Sequence, residues 1–250
     1  VDLLLLLSLI AGICDAVNRN SFHTCAQTAF CVHHREFVAE APFRANVESG
    51  RLGSDRREYE IVVSRLNDTY RLRVGALGGV YRVRMSEMGV IGGGGRFEVP
   101  SFVLNEDGIS SSELRVEAFG GGVVLLRCEG CAHSLRIRAD PLAIDVVDSV
   151  EQRVLLSVNA RGKLLFGRED VASVGADVTF VDFDRVYGIP EHADSLALRS
   201  TAGAEPYRLF NLDVFAYELD SRMALYGSVP LVYAHSAKRS QSVGVLWLNA

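Results

Sequence analysis

The chain has 250 residues, of which 48% are hydrophobic and 23% charged, and its formal net charge is −5. This composition is typical of a globular protein and excludes an intrinsically disordered chain or a collagen-like fibre. The acidic balance gives no support for a nucleic-acid partner, because such a partner usually requires a basic patch.

The chain opens with an apolar run at residues 3–11. This run is too short for a transmembrane helix, which needs about 20 apolar residues, and it matches the apolar segment of a secretory signal. Because Cys14 and Ala16 are small, we predict cleavage after Ala16, so that residues 1–16 are a partial signal peptide that lacks its initiator Met. A buried strand is the alternative interpretation. No later segment is long and apolar enough to span a membrane.

A secretory origin changes how the cysteines are interpreted. Four cysteines remain after the predicted cleavage: Cys25, Cys31, Cys128 and Cys131. An even number of cysteines in an oxidising compartment indicates disulfides, so we predict a bridge between Cys25 and Cys31, with Cys128 and Cys131 as a second candidate pair. Zinc, with help from nearby histidines, is the alternative. The five residues between Cys25 and Cys31 do not match the usual ligand spacing, so we predict no metal and no cofactor.

Most of the chain alternates between apolar and polar residues with a period of two, which is typical of half-buried strands. The clearest runs, residues 70–74 and 80–85, place arginines on one face and apolar side chains on the other. Further strands are predicted at residues 58–66, 96–104, 114–119, 123–128, 134–137, 142–147, 154–158 and 164–166. Many short strands separated by glycine-rich turns indicate an antiparallel β-sandwich or barrel. Only residues 218–225 permit a helix.

A glycosylation sequon, Asn67-Asp68-Thr69, follows the first of these predicted strands. Asparagine and aspartate in succession also favour a turn between two strands. Because a turn is exposed and the chain has a predicted secretory signal, we predict that Asn67 is glycosylated.

The second half of the chain carries residues that resemble a known family. The characteristic stretches are VYGIPEHAD at 186–194, EPYRLFNLDV at 205–214, ALYGSVP at 224–230 and GVLWLNA at 244–250. Together they resemble the N-terminal region of glycoside hydrolase family 31, and within that family the branch of glucosidase II α subunits. Residues 22–31, 81–100 and 155–162 are similar to the same branch, so the resemblance covers nearly all of the chain after the predicted signal.

This resemblance implies a β-sandwich of the galactose-mutarotase-like (supersandwich) type over residues 17–250. In the family, the sandwich packs against a (β/α)8 barrel that holds the two carboxylates of a retaining α-glucosidase. The barrel's nucleophile lies in a Trp-x-Asp-Met-Asn-Glu motif. The one tryptophan of this chain, Trp247, is followed by Leu-Asn-Ala, so the motif is absent. We therefore expect no catalytic residue in these 250 residues and no hydrolysis by this chain alone.

The resemblance also assigns roles to individual residues. In the family, an aspartate in an Asn-x-Asp segment contacts the sugar beside the cleaved glucose, and Asn211-Leu212-Asp213 matches that segment. Asp213 is therefore expected to bind substrate through charge-assisted hydrogen bonds. Glu191, His192 and Asn211 are expected to support the loop. A turn residue that caps its own loop is the alternative role for Asp213.

By the same resemblance, the substrate is an N-glycan oligosaccharide in the lumen of the endoplasmic reticulum. The β subunit of glucosidase II is the expected protein partner, through the full-length chain. A free-standing carbohydrate-binding module is the alternative function, and it would need exposed aromatic side chains such as Tyr207, Phe210 or Phe215. A mutarotase-like enzyme would use Glu191 and His192 as acid and base, but neighbouring residues on a strand point to opposite faces.

Overall fold

The computed structural model describes residues 24–28, 43–89, 110–166, 174–214 and 217–248. In these ranges the chain forms antiparallel strands, and the only helical element is a short 3-10 turn at Cys25–Gln27. The all-β fold class predicted from the sequence is therefore confirmed. No helix in the described ranges is both long and apolar enough to cross a bilayer. The predicted signal at residues 1–16, the predicted strand at 96–104 and Cys31 lie outside these ranges.

The strands are numbered here in chain order. They are β1 (Asn46–Leu52), β2 (Glu58–Arg65), β3 (Asp68–Leu77), β4 (Val80–Met88), β5 (Leu114–Gly120), β6 (Val123–Cys128), β7 (His133–Ala139), β8 (Leu142–Asp148), β9 (Val154–Val158), β10 (Leu165–Phe166), β11 (Val174–Gly175), β12 (Val178–Phe180), β13 (Arg185–Gly188), β14 (Leu231–Ser236) and β15 (Gln241–Leu246). Most predicted strands match an observed strand to within a few residues. β1 and β11 to β15 were not predicted.

The chain divides into two compact units, and the larger one spans Phe37–Asp182 with Leu248–Ala250. It contains a four-stranded sheet in the order β1-β2-β3-β4 and a six-stranded sheet in the order β12-β9-β8-β7-β6-β5. β10 and β11 pair separately. Neighbours along the chain are mostly neighbours in a sheet, because short turns connect antiparallel strands.

The two large sheets of this unit share one hydrophobic core. Ile61 of β2 and Leu72 of β3 are fully buried on the inner face of the four-stranded sheet, and Leu126 and Ile137 contribute to the same cluster from the six-stranded sheet. Alternate side chains of a strand point to the same face, so the apolar half of each alternating run forms the core. Two sheets that pack face to face in this way form a sandwich.

The outer face of the four-stranded sheet carries the arginines that the alternating pattern predicted. Glu58 forms ion pairs with Arg73 and Arg84, and Glu60 forms ion pairs with Arg71 and Arg73. Half-exposed pairs of this kind contribute little stability each. They neutralise much of the positive charge, so this face is a solvated sheet surface rather than a free cationic one.

The turn between β6 and β7 carries a disulfide between Cys128 and Cys131, both of which are buried. Gly130 has a φ of 74°, a left-handed conformation that glycine adopts without steric cost. The Tyr81 hydroxyl braces the turn: it donates to the carbonyl oxygen of His133 at 2.8 Å and accepts from the Cys128 N–H at 3.0 Å. The pairing of Cys25 with Cys31 stays a prediction.

The smaller unit comprises Val1–Glu36 and Phe183–Trp247, and its regular structure in the described ranges is the 3-10 turn at Cys25–Gln27 and one sheet in the order β13-β14-β15. Residues 218–225 are not helical: they form a turn and extended chain, with a single bridge at Ala224. The rest is irregular chain held by hydrogen bonds. The domain boundaries predicted at residues 1–16 and 17–250 stay predictions.

Candidate functional site

Asp213 lies in an irregular segment of the smaller unit, between two neighbours whose backbones are held in place. The Leu212 N–H donates to the carbonyl oxygen of Leu225 at 2.8 Å. The Tyr226 hydroxyl donates to the carbonyl oxygen of Val214 at 2.5 Å, and Val214 itself is only 1% exposed. The backbone is therefore fixed on both sides of Asp213.

The side chain of Asp213 is not engaged by the groups that hold its backbone neighbours. The residue is exposed, and its carboxylate makes no hydrogen bond or ion pair to any residue in the described ranges. An aspartate that caps its own turn accepts hydrogen bonds from nearby backbone N–H groups. In this chain Asp148 does so: its carboxylate accepts from the N–H groups of Val150 and Glu151, both at 2.9 Å. Asp213 thus presents a charged acceptor to solvent from a fixed backbone.

Glu191 forms hydrogen bonds with residues 225–227, the stretch that fixes the backbone around Asp213. Its Oε2 accepts a hydrogen bond from the Gly227 N–H at 2.8 Å, and its own N–H donates to the Gly227 carbonyl oxygen at 2.8 Å. Its carbonyl oxygen accepts from the Leu225 N–H at 3.1 Å. A Cβ atom at Gly227 would lie 2.9 Å from Cδ of Glu191, so glycine is needed for this close approach. Glu191 therefore bonds Leu225 and Gly227, and Leu225 and Tyr226 in turn bond the segment at residues 207–214, here called the Asp213 segment.

His192 contacts the segment directly. Its Nε2 lies 3.0 Å from the carbonyl oxygen of Arg208, and because a carbonyl only accepts, Nε2 carries the hydrogen. Its ring packs edge-on against Tyr207 with the centroids 5.0 Å apart, and its backbone bridges to Ala224. Asn211 differs: it is exposed and makes no side-chain hydrogen bond to a described residue. Its supporting role stays a prediction.

The alternative role of Glu191 and His192 as an acid–base pair finds no support in these contacts. Glu191 bonds the Gly227 backbone, and His192 bonds the Arg208 backbone on a different segment. A general acid and base must instead both reach the same substrate atoms. In the described ranges, no group of three or more histidine, cysteine, aspartate or glutamate side chains is placed to hold a metal ion.

Sequence reasoning missed a network around the buried side chain of Asp194, which is 2% exposed. Its carboxylate accepts from the Tyr207 hydroxyl at 2.6 Å, from Nε of Arg199 at 3.1 Å and from the Ser195 N–H at 2.8 Å. It also forms an ion pair with Nη2 of Arg199 at 2.5 Å. Burial by itself raises the pKa of Asp194, but these hydrogen bonds outweigh it and hold the pKa below its ordinary value. The dense polar residues at 186–194 were the available signal, but they do not identify distant partners.

The predicted glycosylation site lies in the larger unit. Arg65 at the end of β2 pairs with Asp68 at the start of β3, so that Leu66 and Asn67 form the turn between them. Leu66 is 91% exposed and Asn67 is also exposed. A glycan on Asn67 would therefore extend into solvent without displacing a buried group.

Comparison with known proteins gives this site a context. Residues 71–250 match the model of the family described as the glycosyl hydrolase 31 N-terminal galactose mutarotase-like domain. The chain is 31% identical over 305 aligned positions to neutral alpha-glucosidase AB of Sus scrofa, covering 98% of this chain and 31% of that protein. It is 57% identical over 82 aligned positions to neutral alpha-glucosidase AB of Dictyostelium discoideum, covering 31% of this chain and 8% of that protein.

Solved structures share the fold. A crystal structure of glucosidase II alpha subunit with alpha3-Glc2 bound aligns with a TM-score of 0.74 at 24% identity, over 92% of this chain and 31% of that one. An ER glucosidase II complex of a catalytic subunit and the binding domain of a regulatory subunit gives the same TM-score, identity and coverage. The chain thus spans about a third of the length of the relatives it matches. By the family match and the fold together, this chain belongs to the family of glycosyl hydrolase 31 N-terminal galactose mutarotase-like domains.

Proposed function

We propose that this chain forms the N-terminal, non-catalytic part of an α-glucosidase of the endoplasmic reticulum that trims α-linked glucose from N-glycans. The observation that carries the proposal is the match to neutral alpha-glucosidase AB, which covers 98% of this chain but only 31% of that relative. A retaining glycosidase needs two carboxylates about 5–5.5 Å apart across the scissile bond. We assign both carboxylates to the remaining part of the enzyme.

In this proposal, the segment around Asp213 shapes the active-site entrance and contacts the sugar beside the cleaved glucose. The exposed carboxylate, which has no partner among the described residues, supports this role over loop capping. An ionised acceptor forms strong hydrogen bonds with sugar hydroxyls. The hydrogen bonds at Leu212 and Val214 hold the backbone before substrate arrives, which lowers the entropy cost of binding.

We further propose an N-glycan oligosaccharide as the substrate and a regulatory β subunit as the partner of the full-length enzyme. The solved heterodimer that aligns with this chain contains a catalytic subunit and the binding domain of a regulatory subunit, which supports this assignment. The exposed sequon at Asn67 agrees with passage through the secretory pathway.

The 250-residue chain alone should not release the aryl group from an aryl α-glucoside faster than buffer does, because this proposal assigns both catalytic carboxylates to the rest of the enzyme. A longer protein in which this chain continues into a barrel with the Asp-Met-Asn-Glu segment should hydrolyse the same compound. Release of the chromophore measures both rates. Turnover by the chain alone would overturn the proposal that the catalytic carboxylates lie in the remaining part of the enzyme. An inactive longer protein, together with calorimetric binding of an oligosaccharide by the chain alone, would favour the free-standing carbohydrate-binding module.

When the chain is expressed in a secretory pathway, we expect a glycan on Asn67, and endoglycosidase H treatment should increase its electrophoretic mobility. Asn67→Gln and Thr69→Ala should each abolish the mobility change, because either substitution destroys the sequon. Asn46→Gln is the matched control, since Asn46 is an exposed asparagine outside any sequon. A wild-type chain whose mobility is unchanged by the enzyme would contradict the assignment.

A further inference from the structure

We infer that Asp194, Tyr207 and Arg199, here called the Asp194 cluster, position the Asp213 segment for substrate. This inference rests on the proposed function, because it concerns the same segment. The three residues are joined by hydrogen bonds, and one of them, Tyr207, is the first residue of the Asp213 segment. They act through the backbone of residues 207–214 and not on the sugar.

Tyr207 is the member of the cluster that belongs to the segment itself. Its hydroxyl donates to Oδ2 of Asp194 at 2.6 Å and accepts from the Arg199 N–H at 3.1 Å, so the hydroxyl is used both as donor and as acceptor. Its ring packs against His192, and the Arg222 guanidinium lies 5.7 Å from the ring centroid. The first residue of the segment is therefore held from several directions.

The buried carboxylate of Asp194 favours one position of the side chains that donate to it. Its side chain is 2% exposed, so its charge must be satisfied by protein donors, and Arg199, Tyr207 and the Ser195 N–H supply them. A buried carboxylate that loses a donor carries a large cost in free energy, which disfavours other positions of the tyrosine ring. The hydrogen bonds that lower the pKa of Asp194 also keep it ionised at neutral pH.

The Asp194 cluster is also connected to residues 220–222. These residues precede Leu225, whose carbonyl oxygen accepts from the Leu212 N–H. Nη2 of Arg199 donates to the carbonyl oxygen of Asp220 at 2.8 Å, and Nη2 of Arg222 donates to the carbonyl oxygen of Ser200 at 2.8 Å. The cluster therefore ties residues 194–200 to residues 220–222, which lead directly to Leu225. Both ends of the Asp213 segment thus depend on the Asp194 cluster. The first end depends on it directly, through Tyr207, and the second end depends on it through the bonds to residues 220–222 that precede Leu225.

The Asp194 carboxylate and the Tyr207 hydroxyl are both occupied by protein partners. The Asp194 carboxylate is buried with three hydrogen bonds and an ion pair to Nη2 of Arg199, and the Tyr207 hydroxyl both donates and accepts. We therefore infer that Asp194 and Tyr207 affect substrate through the placement of Asp213. They are positioning residues, and a change in them should alter KM more than kcat.

A double-mutant cycle in the complete α-glucosidase that contains this chain tests the inference. Tyr207→Phe removes one hydroxyl and keeps the ring, and it should raise KM for an α-linked disaccharide about threefold to tenfold with little change in kcat. In the Asp213→Ala background, the same substitution should change KM by less than about twofold, because the contact that it positions is gone. Tyr217→Phe, at a tyrosine that is 52% exposed, is the matched control and should leave both constants unchanged.

Hydrogen exchange supplies a readout that does not depend on activity. Tyr207→Phe should speed exchange of the Leu212 amide, whereas exchange in the β2–β3 hairpin of the larger unit should be unchanged. If Tyr207→Phe does not fold, Arg199→Lys takes its place: it keeps the charge but loses the planar fork, and it should show the same pattern.

The outcomes separate the two hypotheses. If Asp213→Ala leaves kcat/KM unchanged, the proposed substrate contact fails whatever Tyr207 does. If Asp213→Ala lowers kcat/KM but Tyr207→Phe has equal effects in both backgrounds, or none in either, the positioning role is overturned while the substrate contact stands. An unchanged exchange rate of the Leu212 amide would likewise overturn the positioning role.

Discussion

Asp213→Ala in the complete α-glucosidase should raise KM for α-linked disaccharides and lower kcat/KM about tenfold to a hundredfold. This range follows from the loss of a hydrogen bond to a charged group, worth about 1.5–3 kcal/mol. The carboxylate is exposed and the backbone is held on both sides by Leu212 and Val214, so the substitution should remove the contact without loosening the segment. Initial rates over a range of disaccharide concentrations measure both constants.

Two further variants make this measurement specific. Asp213→Asn keeps an oxygen acceptor but removes the charge, so its kcat/KM should fall between those of the wild type and Asp213→Ala. Asp184→Ala removes another exposed carboxylate of the same unit and should change kcat/KM by less than about twofold. An unchanged kcat/KM for Asp213→Ala, or an equal loss for Asp184→Ala, would contradict the assignment of Asp213.

Asp145→Ala should lower the free energy of unfolding by about 3 kcal/mol, the largest effect on stability that we expect from removing one charge. The Asp145 side chain is 1% exposed in β8, and its carboxylate accepts from Arg136, Arg138 and Ser157. Without it, two guanidinium groups lose their partner and the buried Ser157 hydroxyl loses its acceptor. Both arginines are 35% exposed, so water offsets part of the loss, and we therefore expect the lower end of the usual range.

The effect of Asp145 should also depend on pH in a definite direction. Burial raises the pKa of Asp145, but the hydrogen bonds from Ser157, Arg136 and Arg138 outweigh it and hold the pKa below its ordinary value. A carboxyl whose folded pKa is lowered stabilises the fold above its unfolded value of about 3.9, and this contribution disappears as the pH falls through the folded value. The stability difference between wild type and Asp145→Ala should therefore be constant above about pH 5 and should shrink below about pH 4.

Urea unfolding at several pH values measures this difference. Asp140→Ala is the control, because Asp140 pairs with Arg44 at 3.5 Å while 55% exposed, and its loss should cost less than about 1 kcal/mol. Equal destabilisation by the two variants would show that burial of Asp145 does not matter. A stability difference that stays constant down to about pH 3 would contradict the lowered pKa.

The alternating runs predicted the larger unit well for a simple reason. A strand with one buried and one solvated face shows both faces in its sequence, as β3 does where the buried Leu72 and Val74 alternate with Arg71 and Arg73. β1 and β14 were missed because they depart from this pattern. β1 buries none of its residues, and β14 exposes Leu231 and Tyr233 on its outward face. Their pairing comes from neighbouring strands and not from their own periodicity.

The candidate site was predictable only in part. The local stretches around Glu191, His192 and Asp213 carry the family resemblance, and the family assignment is confirmed. The sequence did not reveal that the Asp194 carboxylate is bound by Arg199 and Tyr207, five and thirteen residues further on. An aspartate, an arginine and a tyrosine at such spacings in irregular chain follow no helical or strand period, so no pattern links them.

The sequence by itself determined the all-β class and the family, because alternating runs and family-like stretches are both local features of the chain. Only the tertiary structure decided which polar residues are structural and which remain open to a ligand. Asp194 and Asp213 are both aspartates in family-like stretches, but one is buried with three hydrogen bonds and an ion pair, and the other is exposed with none to the described residues. That distinction depends on the solvent and donors that the folded chain brings to each carboxylate, which local sequence does not encode.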